Sequence, residues 1–276
     1  MPKLFQAGFF IGKILKERML AGVDGCRGGW VVALAESWPL DNLPQITLVS
    51  SFKEVLEVTE GCNAVGVDMP IGLPDAKNWP RLCDIEARKL LGPKASSRLF
   101  YAPPRDTLQA GTANEFQRLH LKSVGKKATL PVYRIVPKLR EVDFLLTPNL
   151  QERIVEFYPE FTWMRLQAAA NGIKERTTPS KPLPSKHTQE GLEKRIELLK
   201  DFLNCPFWGH PHFANYASYA PKPPIKLDDL LDAMIGLMAA QDYWNYKQSQ
   251  MLPYPRLPAF QEPPLDIKGL RMEIWY

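Results

Sequence analysis

Two short apolar runs that end on aspartate place the strongest constraint on the fold of this chain. Residues 20–24 read LAGVD and residues 64–68 read AVGVD. Continuous β-branched and small apolar residues of this kind predict two buried strands. A carboxylate at the end of a buried strand is costly unless a cation pairs with it. Asp24 and Asp68 therefore predict a shared cation or proton, and the alternative is that each aspartate only begins a turn.

The order of the predicted elements is that of an α/β protein with a mixed sheet. Ser51 with Glu54 three residues later forms a capping box, which predicts a helix that starts there and ends near residue 60. The predicted strands cover 20–24, 30–35, 45–49, 64–68 and 153–158. Further predicted helices cover 84–91, 113–123, 138–146, 189–202 and 227–243.

The last of these helices carries a second pair of acidic residues. Asp229 and Asp232 are three positions apart, so they share one face of a helix. Small and apolar residues follow them, which predicts that this helix packs closely and turns its acidic face toward the packed edge. The alternative is that acidic residues in a first turn only favour the helix dipole. Glu156 adds one more carboxylate, at the end of the fifth predicted strand.

Positive charge is concentrated in one part of the chain. The net charge is +5, but residues 81–140 hold 13 Lys and Arg against 4 Asp and Glu, a balance of 13 − 4 = +9. This asymmetry suits a polyanionic ligand, and the alternative is a charged surface that keeps the protein in solution. The predicted phosphate contacts are Arg27, Arg81, Arg88, Arg98, Arg105 and Lys186.

The cysteine pattern and the hydropathy favour a cytoplasmic protein. Four scattered cysteines without a Cys-x-x-Cys pair argue against a zinc site and a disulfide framework, and favour a reducing compartment. Apolar runs are too short to span a bilayer, so we expect no membrane partner. Charged residues interrupt the short apolar stretch in residues 1–19, which we interpret as an N-terminal extension and not a signal peptide.

Six segments together resemble a known family. They are 22–30 (GVDGCRGGW), 65–74 (VGVDMPIGLP), 81–88 (RLCDIEAR), 140–143 (REVD), 156–160 (EFYPE) and 228–233 (DDLLDA). The chain resembles, over about residues 20–276, the family catalogued as domain of unknown function 429, described as predicted nucleases with a ribonuclease H-like fold.

This resemblance implies a ribonuclease H-like domain over residues 20–276. Its sheet has five strands, with strands one to three antiparallel, strands four and five parallel, and helices on both faces. Residues 81–148 are then a helical basic insertion. Residues 250–276 form a Pro-rich tail that ends in one further predicted strand over 270–276.

The resemblance also implies a metal-binding cluster of Asp24, Asp68, Asp229 and Asp232. Glu156 joins the catalytic residues only if alternation along the fifth strand turns it toward them. A cluster of carboxylates alone suits Mg²⁺ or Mn²⁺ and not zinc. The expected activity is hydrolysis of phosphodiester bonds in DNA or RNA by a two-metal-ion mechanism.

Two alternatives remain open from the sequence. The first is a phosphotransferase or ATPase of the actin and sugar-kinase type, in which the glycine-rich turn at 25–29 binds nucleotide phosphate. The second is a non-catalytic module that binds nucleic acid through its basic face. The sequence indicates neither an oligomeric state nor the kind of nucleic acid.

Overall fold

A five-stranded mixed sheet forms the centre of the protein, in a computed structural model that describes residues 19–173, 181–200, 225–249, 255–259 and 261–276. Its strands are β1 (Leu20–Cys26), β2 (Gly29–Ala35), β3 (Gln45–Val49), β4 (Ala64–Asp68) and β5 (Ile154–Glu156). The spatial order is β3-β2-β1-β4-β5. β1, β2 and β3 are antiparallel neighbours, whereas β4 and β5 run parallel to β1. The predicted α/β class and five-stranded mixed sheet are confirmed.

Helices lie between β3 and β4, between β4 and β5, and after β5 along the chain. They are α1 (Phe52–Val58), α2 (Leu82–Ala95), α3 (Ala113–Val124), α4 (Leu130–Leu145), α5 (Pro148–Gln151), α6 (Pro159–Ala170), α7 (Gln189–Lys200) and α8 (Leu227–Ser249). Two short strands, β6 (Arg256–Leu257) and β7 (Ile274–Trp275), form a separate pair. Of the strand predicted over 270–276, only the two residues of β7 form a strand.

Local sequence signals explain where two of these helices begin. The Ser51 hydroxyl accepts a hydrogen bond from the Glu54 backbone N–H at 3.3 Å, as the capping box predicts. α4 begins eight residues before the predicted start at residue 138. Proline in a first turn costs no hydrogen bond, so Pro131 allows the early start, while Pro137 lies inside the helix and does not begin it.

Alternation along the strands divides the core between the two faces of the sheet. Val23 and Val67 point to one face and pack in the same apolar cluster as Phe52 of α1 and Val136 of α4. The opposite face of the sheet packs against α6 and α8. Side chains two residues apart on a strand share a face, so each Gly-Val-Asp segment turns its glycine and its aspartate toward α8.

The backbone of α8 lies almost directly on the sheet. A Cβ atom added at Gly22 would lie 2.0 Å from the carbonyl oxygen of Ala233, and one added at Gly66 would lie 2.8 Å from that of Gly236. A Cβ at Gly236 would lie 2.9 Å from the Cα of Gly22. Only glycine fits at these three positions, because backbone occupies the space of any side chain.

Several sequence predictions concern the edges of the described chain. Residues 1–18 of the predicted extension lie outside the described residues, as do 250–254 and 260 of the predicted tail.

Within the basic stretch 81–140, the structure forms α2, α3 and most of α4. No helix in the described ranges is long and apolar enough to cross a membrane.

Replacing Gly22 with alanine should destabilise the protein by about 3 kcal/mol, since overpacking against backbone costs at least as much as overpacking a core. Gly111→Ala is the control, because the nearest atom to a Cβ added there is 3.7 Å away. Urea unfolding monitored by circular dichroism measures both. Equal stability of the two variants would contradict the close approach of α8.

Candidate metal centre

Three carboxylates from separate elements meet at one end of the sheet. Asp24 and Asp68 are paired neighbours at the carboxyl ends of β1 and β4, and Asp232 lies one turn before Gly236 on α8. One oxygen from each lies within 4.8 Å of the other two. Asp24 and Asp232 are buried, with 6% and 1% exposure, and Asp68 is half-buried. A set of donors that consists of carboxylate oxygens fits Mg²⁺ or Mn²⁺.

Burial and mutual repulsion oppose ionisation of these carboxylates. The pKa of Asp24 is raised well above its usual range, first by burial and then by Asp68 and Asp232. Burial also raises the pKa of Asp68 to about 7, although Lys186 pulls it down. A cation placed among the three would remove this penalty, because it favours the charged form of every carboxylate.

Lys186 brings a positive charge into the cluster. Its Nζ forms an ion pair with Asp232 Oδ2, while Asp232 Oδ1 accepts a hydrogen bond of 3.0 Å from Trp163 Nε1. Burial lowers the pKa of Lys186, but attraction to Asp232, Asp24 and Asp68 outweighs it and raises the pKa overall. The lysine therefore stays charged. Its ion pair with Asp232 shows that the negative charge of the cluster attracts a cation.

Asp229, the fourth predicted ligand, lies beside the cluster but outside the group of three. It lines the same cleft, and its Oδ2 accepts a hydrogen bond of 3.1 Å from the Lys226 backbone N–H at the start of α8. Its pKa is raised by burial and by Asp228. Asp229 therefore accepts a hydrogen bond at the N-terminus of α8, in line with the alternative that acidic residues in this first turn favour the helix. It also lines the cleft.

Glu156 is engaged by an arginine and not by the cluster. Both of its oxygens accept hydrogen bonds from Arg81, at 2.7 and 2.8 Å, and the Ile71 backbone N–H donates to it at 2.7 Å. Arg81 also bonds both oxygens of Asp84. Alternation along β5 explains this, since Val155 faces α8 and Glu156 points the other way. Glu156 thus lines the same cleft as Asp24 and Asp68, but it lies outside the group of three carboxylates whose oxygens converge.

Among the predicted phosphate contacts, two arginines serve the fold instead. Arg81 is 1% exposed and spends its donors on Glu156, Asp84 and two backbone carbonyls. Arg105 forms ion pairs with Asp143 and Asp266. Both guanidinium groups are held by carboxylates, so these two residues are corrected to structural roles.

The other predicted contacts are more open. Arg98 is 29% exposed in its side chain, pairs with Glu160 at 2.8 Å and lines the cleft. Arg88 stacks over the Tyr101 ring at 4.8 Å. Arg27 is exposed in the turn between β1 and β2. Of the six, Arg98 and Lys186 reach the cleft together with Arg81.

Asp24, Asp68 and Asp229 line a cleft of about 500 Å³. Asp84, Glu156 and Glu160 also line it, and each of these three is paired with an arginine. The apolar residues of the lining include Met69, Pro70, Leu99, Phe100, Ile135 and Tyr158. Its cationic residues include Arg81, Arg98 and Lys186.

Two functional neighbours of the cluster were missed by the sequence analysis. Trp163 on α6 orients Asp232, and only its place shortly after the EFYPE segment gave a signal. Lys138 on α4 lies with its Nζ 4.4 Å from the Trp30 ring centroid, and its chain covers Gly25, next to Asp24. It lies in the basic stretch, but its sequence neighbours did not distinguish it from the other lysines.

Comparison with known families adds one finding to this geometry. Residues 22–256 match the family described as a protein of unknown function, DUF429. The chain belongs to the DUF429 family. The matched segment contains Asp24, Asp68, Asp232 and Lys186, so the whole cluster lies within it. No curated protein and no solved structure matches the chain.

The raised pKa of Asp68 makes the metal-free stability of this DUF429 protein depend on pH. The folded protein keeps the proton to about pH 7, whereas the unfolded chain releases it near pH 4. The contribution of this proton to stability is therefore full below about pH 4 and is lost as pH rises to about 7, on the order of 4 kcal/mol for a shift of about three pKa units.

Thermal unfolding of the wild type and Asp68→Asn between pH 4.5 and 8 measures this effect. The loss of stability with rising pH should be smaller in the variant, and saturating Mg²⁺ should stabilise the wild type more at pH 8 than at pH 5. Identical pH profiles for the two proteins would contradict the burial of this charge.

Arg81→Met should destabilise the protein by about 4 kcal/mol, because it leaves the buried Asp84 and Glu156 unpaired. Arg118→Met is the control, since Arg118 is 68% exposed and lies 4.0 Å from its partner. Guanidinium unfolding compares them. An Arg81→Met protein as stable as the control would restore Arg81 as a free phosphate contact.

Proposed function

We propose that the protein is a metal-dependent nuclease that hydrolyses phosphodiester bonds of nucleic acid. The observation that carries this proposal is the convergence of Asp24, Asp68 and Asp232 within 4.8 Å of one another, beside a cleft that Asp24 and Asp68 line. Three buried carboxylates are costly without a cation, and their oxygens are the ligands that Mg²⁺ and Mn²⁺ prefer. Such ions are common partners of phosphoryl transfer.

We also propose that the fold is ribonuclease H-like. The support is the strand order β3-β2-β1-β4-β5, with antiparallel β1 to β3 and with β4 and β5 parallel to β1. A second support is α8, which lies against β1 and β4 and brings its aspartate to their carboxyl ends. Both agree with what the family resemblance implies.

The residues of the chain have distinct roles in the proposed reaction. Asp24, Asp68 and Asp232 hold the ion, and Asp229 on the cleft wall is the fourth carboxylate that a two-ion form would use. Bound Mg²⁺ would lower the pKa of water and stabilise the leaving oxygen. Trp163 orients Asp232. Lys186 and Arg98, which both line the cleft, bind and orient the phosphate.

The hydrolysis adds one water to one phosphodiester. The bond between water oxygen and phosphorus forms, the bond from phosphorus to the leaving oxygen breaks, and that oxygen takes up a proton. The deprotonated carboxylates would hold the ion in place, and the ion would offset the charge that develops on the phosphate.

Asp24→Asn and Asp68→Asn should each lower Mg²⁺-dependent or Mn²⁺-dependent hydrolysis of a labelled oligonucleotide by at least about a hundredfold, because loss of a group that only supports a metal ligand already costs about 10- to 100-fold. Asp106→Asn is the control, because Asp106 is exposed outside the cleft. Thermal unfolding checks that each variant is folded. Full activity of Asp24→Asn would remove the nuclease assignment.

The same assay separates the two alternatives. Turnover of ATP, lost in Asp24→Asn and unaffected by nucleic acid, would support a phosphotransferase or ATPase. Salt-sensitive binding of nucleic acid without hydrolysis would support a non-catalytic module.

A cytoplasmic location is also proposed. Its support is that Cys26, Cys62 and Cys83 are buried free thiols in the described part of the chain. Such thiols persist in a reducing compartment.

A further inference from the structure

The shape of the cleft limits what reaches the cluster. Asp24 is 6% exposed and lines the cleft, so a phosphate must enter the cleft to approach it. The cleft volume is about 500 Å³. Pockets of about 300–1,000 Å³ bury one drug-sized ligand, and a single nucleotide is a ligand of this size.

The lining contains the kinds of group that a nucleotide requires. Lys186 and Arg98 line the same cleft as Asp24 and Asp68 and supply positive charge for a phosphate. Phe100 and Tyr158 are half-buried aromatic residues of the same lining. Aromatic faces of this kind stack bases without preference for sequence.

A paired nucleotide reaches such a cleft only after it leaves the stack, at a cost in free energy. An unpaired nucleotide pays much less of this cost. Resting on the proposed nuclease function, we propose that the cleft takes one unpaired nucleotide at a time, from the end of a single strand or as a free nucleotide. The intact duplex is therefore a poor substrate.

The first experiment measures binding and does not depend on hydrolysis. Isothermal titration with adenosine 5′-monophosphate, in the presence of Ca²⁺, gives the affinity of the full chain. Ser97→Trp and Ile135→Trp add bulk to the cleft wall, because both residues line it. Phe144→Trp is the matched control, since Phe144 is 84% exposed on the same helix as Ile135.

The two cleft variants should each bind the nucleotide at least about tenfold more weakly than the control, as expected when a ligand loses its pocket. Ser97 is exposed, so Ser97→Trp tests the proposal even if Ile135→Trp does not fold. Unchanged affinity in Ser97→Trp would overturn it. Inorganic phosphate that binds as tightly as the nucleotide would also overturn it, because the base would then have no place in the cleft.

The second experiment compares substrates that differ only in their unpaired ends. With Mg²⁺, a linear single strand should be degraded at least about a hundredfold faster than the same sequence in a relaxed, covalently closed duplex circle. A closed circular single strand tests the need for an end: resistance of the circle is expected, and its cleavage at the rate of the linear strand would overturn entry from a strand end. Equal rates on the linear strand and the closed duplex would overturn the proposal.

The two experiments keep the proposals apart. Hydrolysis at equal rates on all substrates would leave the nuclease function standing and remove the single-nucleotide cleft. Nucleotide binding that Ser97→Trp weakens, with no hydrolysis of any substrate, would leave the cleft standing and remove the nuclease function.

Discussion

The contact between the backbone of α8 and the sheet determines where the acidic residues lie. Gly22, Gly66 and Gly236 remove the side chains that would keep the helix at a normal packing distance. Each sheet glycine lies two residues before an aspartate, and Gly236 lies four residues after Asp232. The same contact that packs the core therefore sets the distance between the three carboxylates.

Charge balance around the cluster follows from that geometry. Burial makes the carboxylates costly to ionise, and Lys186 offsets only part of this cost. In a neighbouring set of buried charges, Arg81 donates hydrogen bonds to both Asp84 and Glu156, so each of these carboxylates has a guanidinium partner. The three carboxylates around Asp24 have one lysine, which pairs with Asp232 alone, and this cluster is therefore the place for an external cation.

Strand and cap signals made much of the fold predictable from the sequence. The apolar runs of β1 and β4 and the capping box of α1 depend on neighbouring residues, so a local pattern reveals them. The convergence of Asp24 and Asp68 was predictable for the same reason, since each ends a strand. The family resemblance and the spacing of Asp229 and Asp232 further predicted that α8 brings its acidic face to this site.

Other features depend on contacts that no local pattern records. β5 has three residues, too few for the sequence to show which face Glu156 takes. Arg81 is separated from Glu156 by 75 positions, so its ion pair could not be distinguished from a surface arginine. The helix predicted from residue 138 begins earlier, at Leu130, and the packing of Val136 and Leu139 in the core keeps α4 continuous across Pro137.

Anomalous diffraction from a crystal soaked in Mn²⁺ tests the central claim most directly. The account predicts a peak bound by oxygens of Asp24, Asp68 and Asp232 at about 2.2 Å, the distance expected for such an ion. Lys186 Nζ should then have moved away from Asp232. A map without a peak at this position, with Lys186 still paired to Asp232 under saturating Mn²⁺, would contradict it.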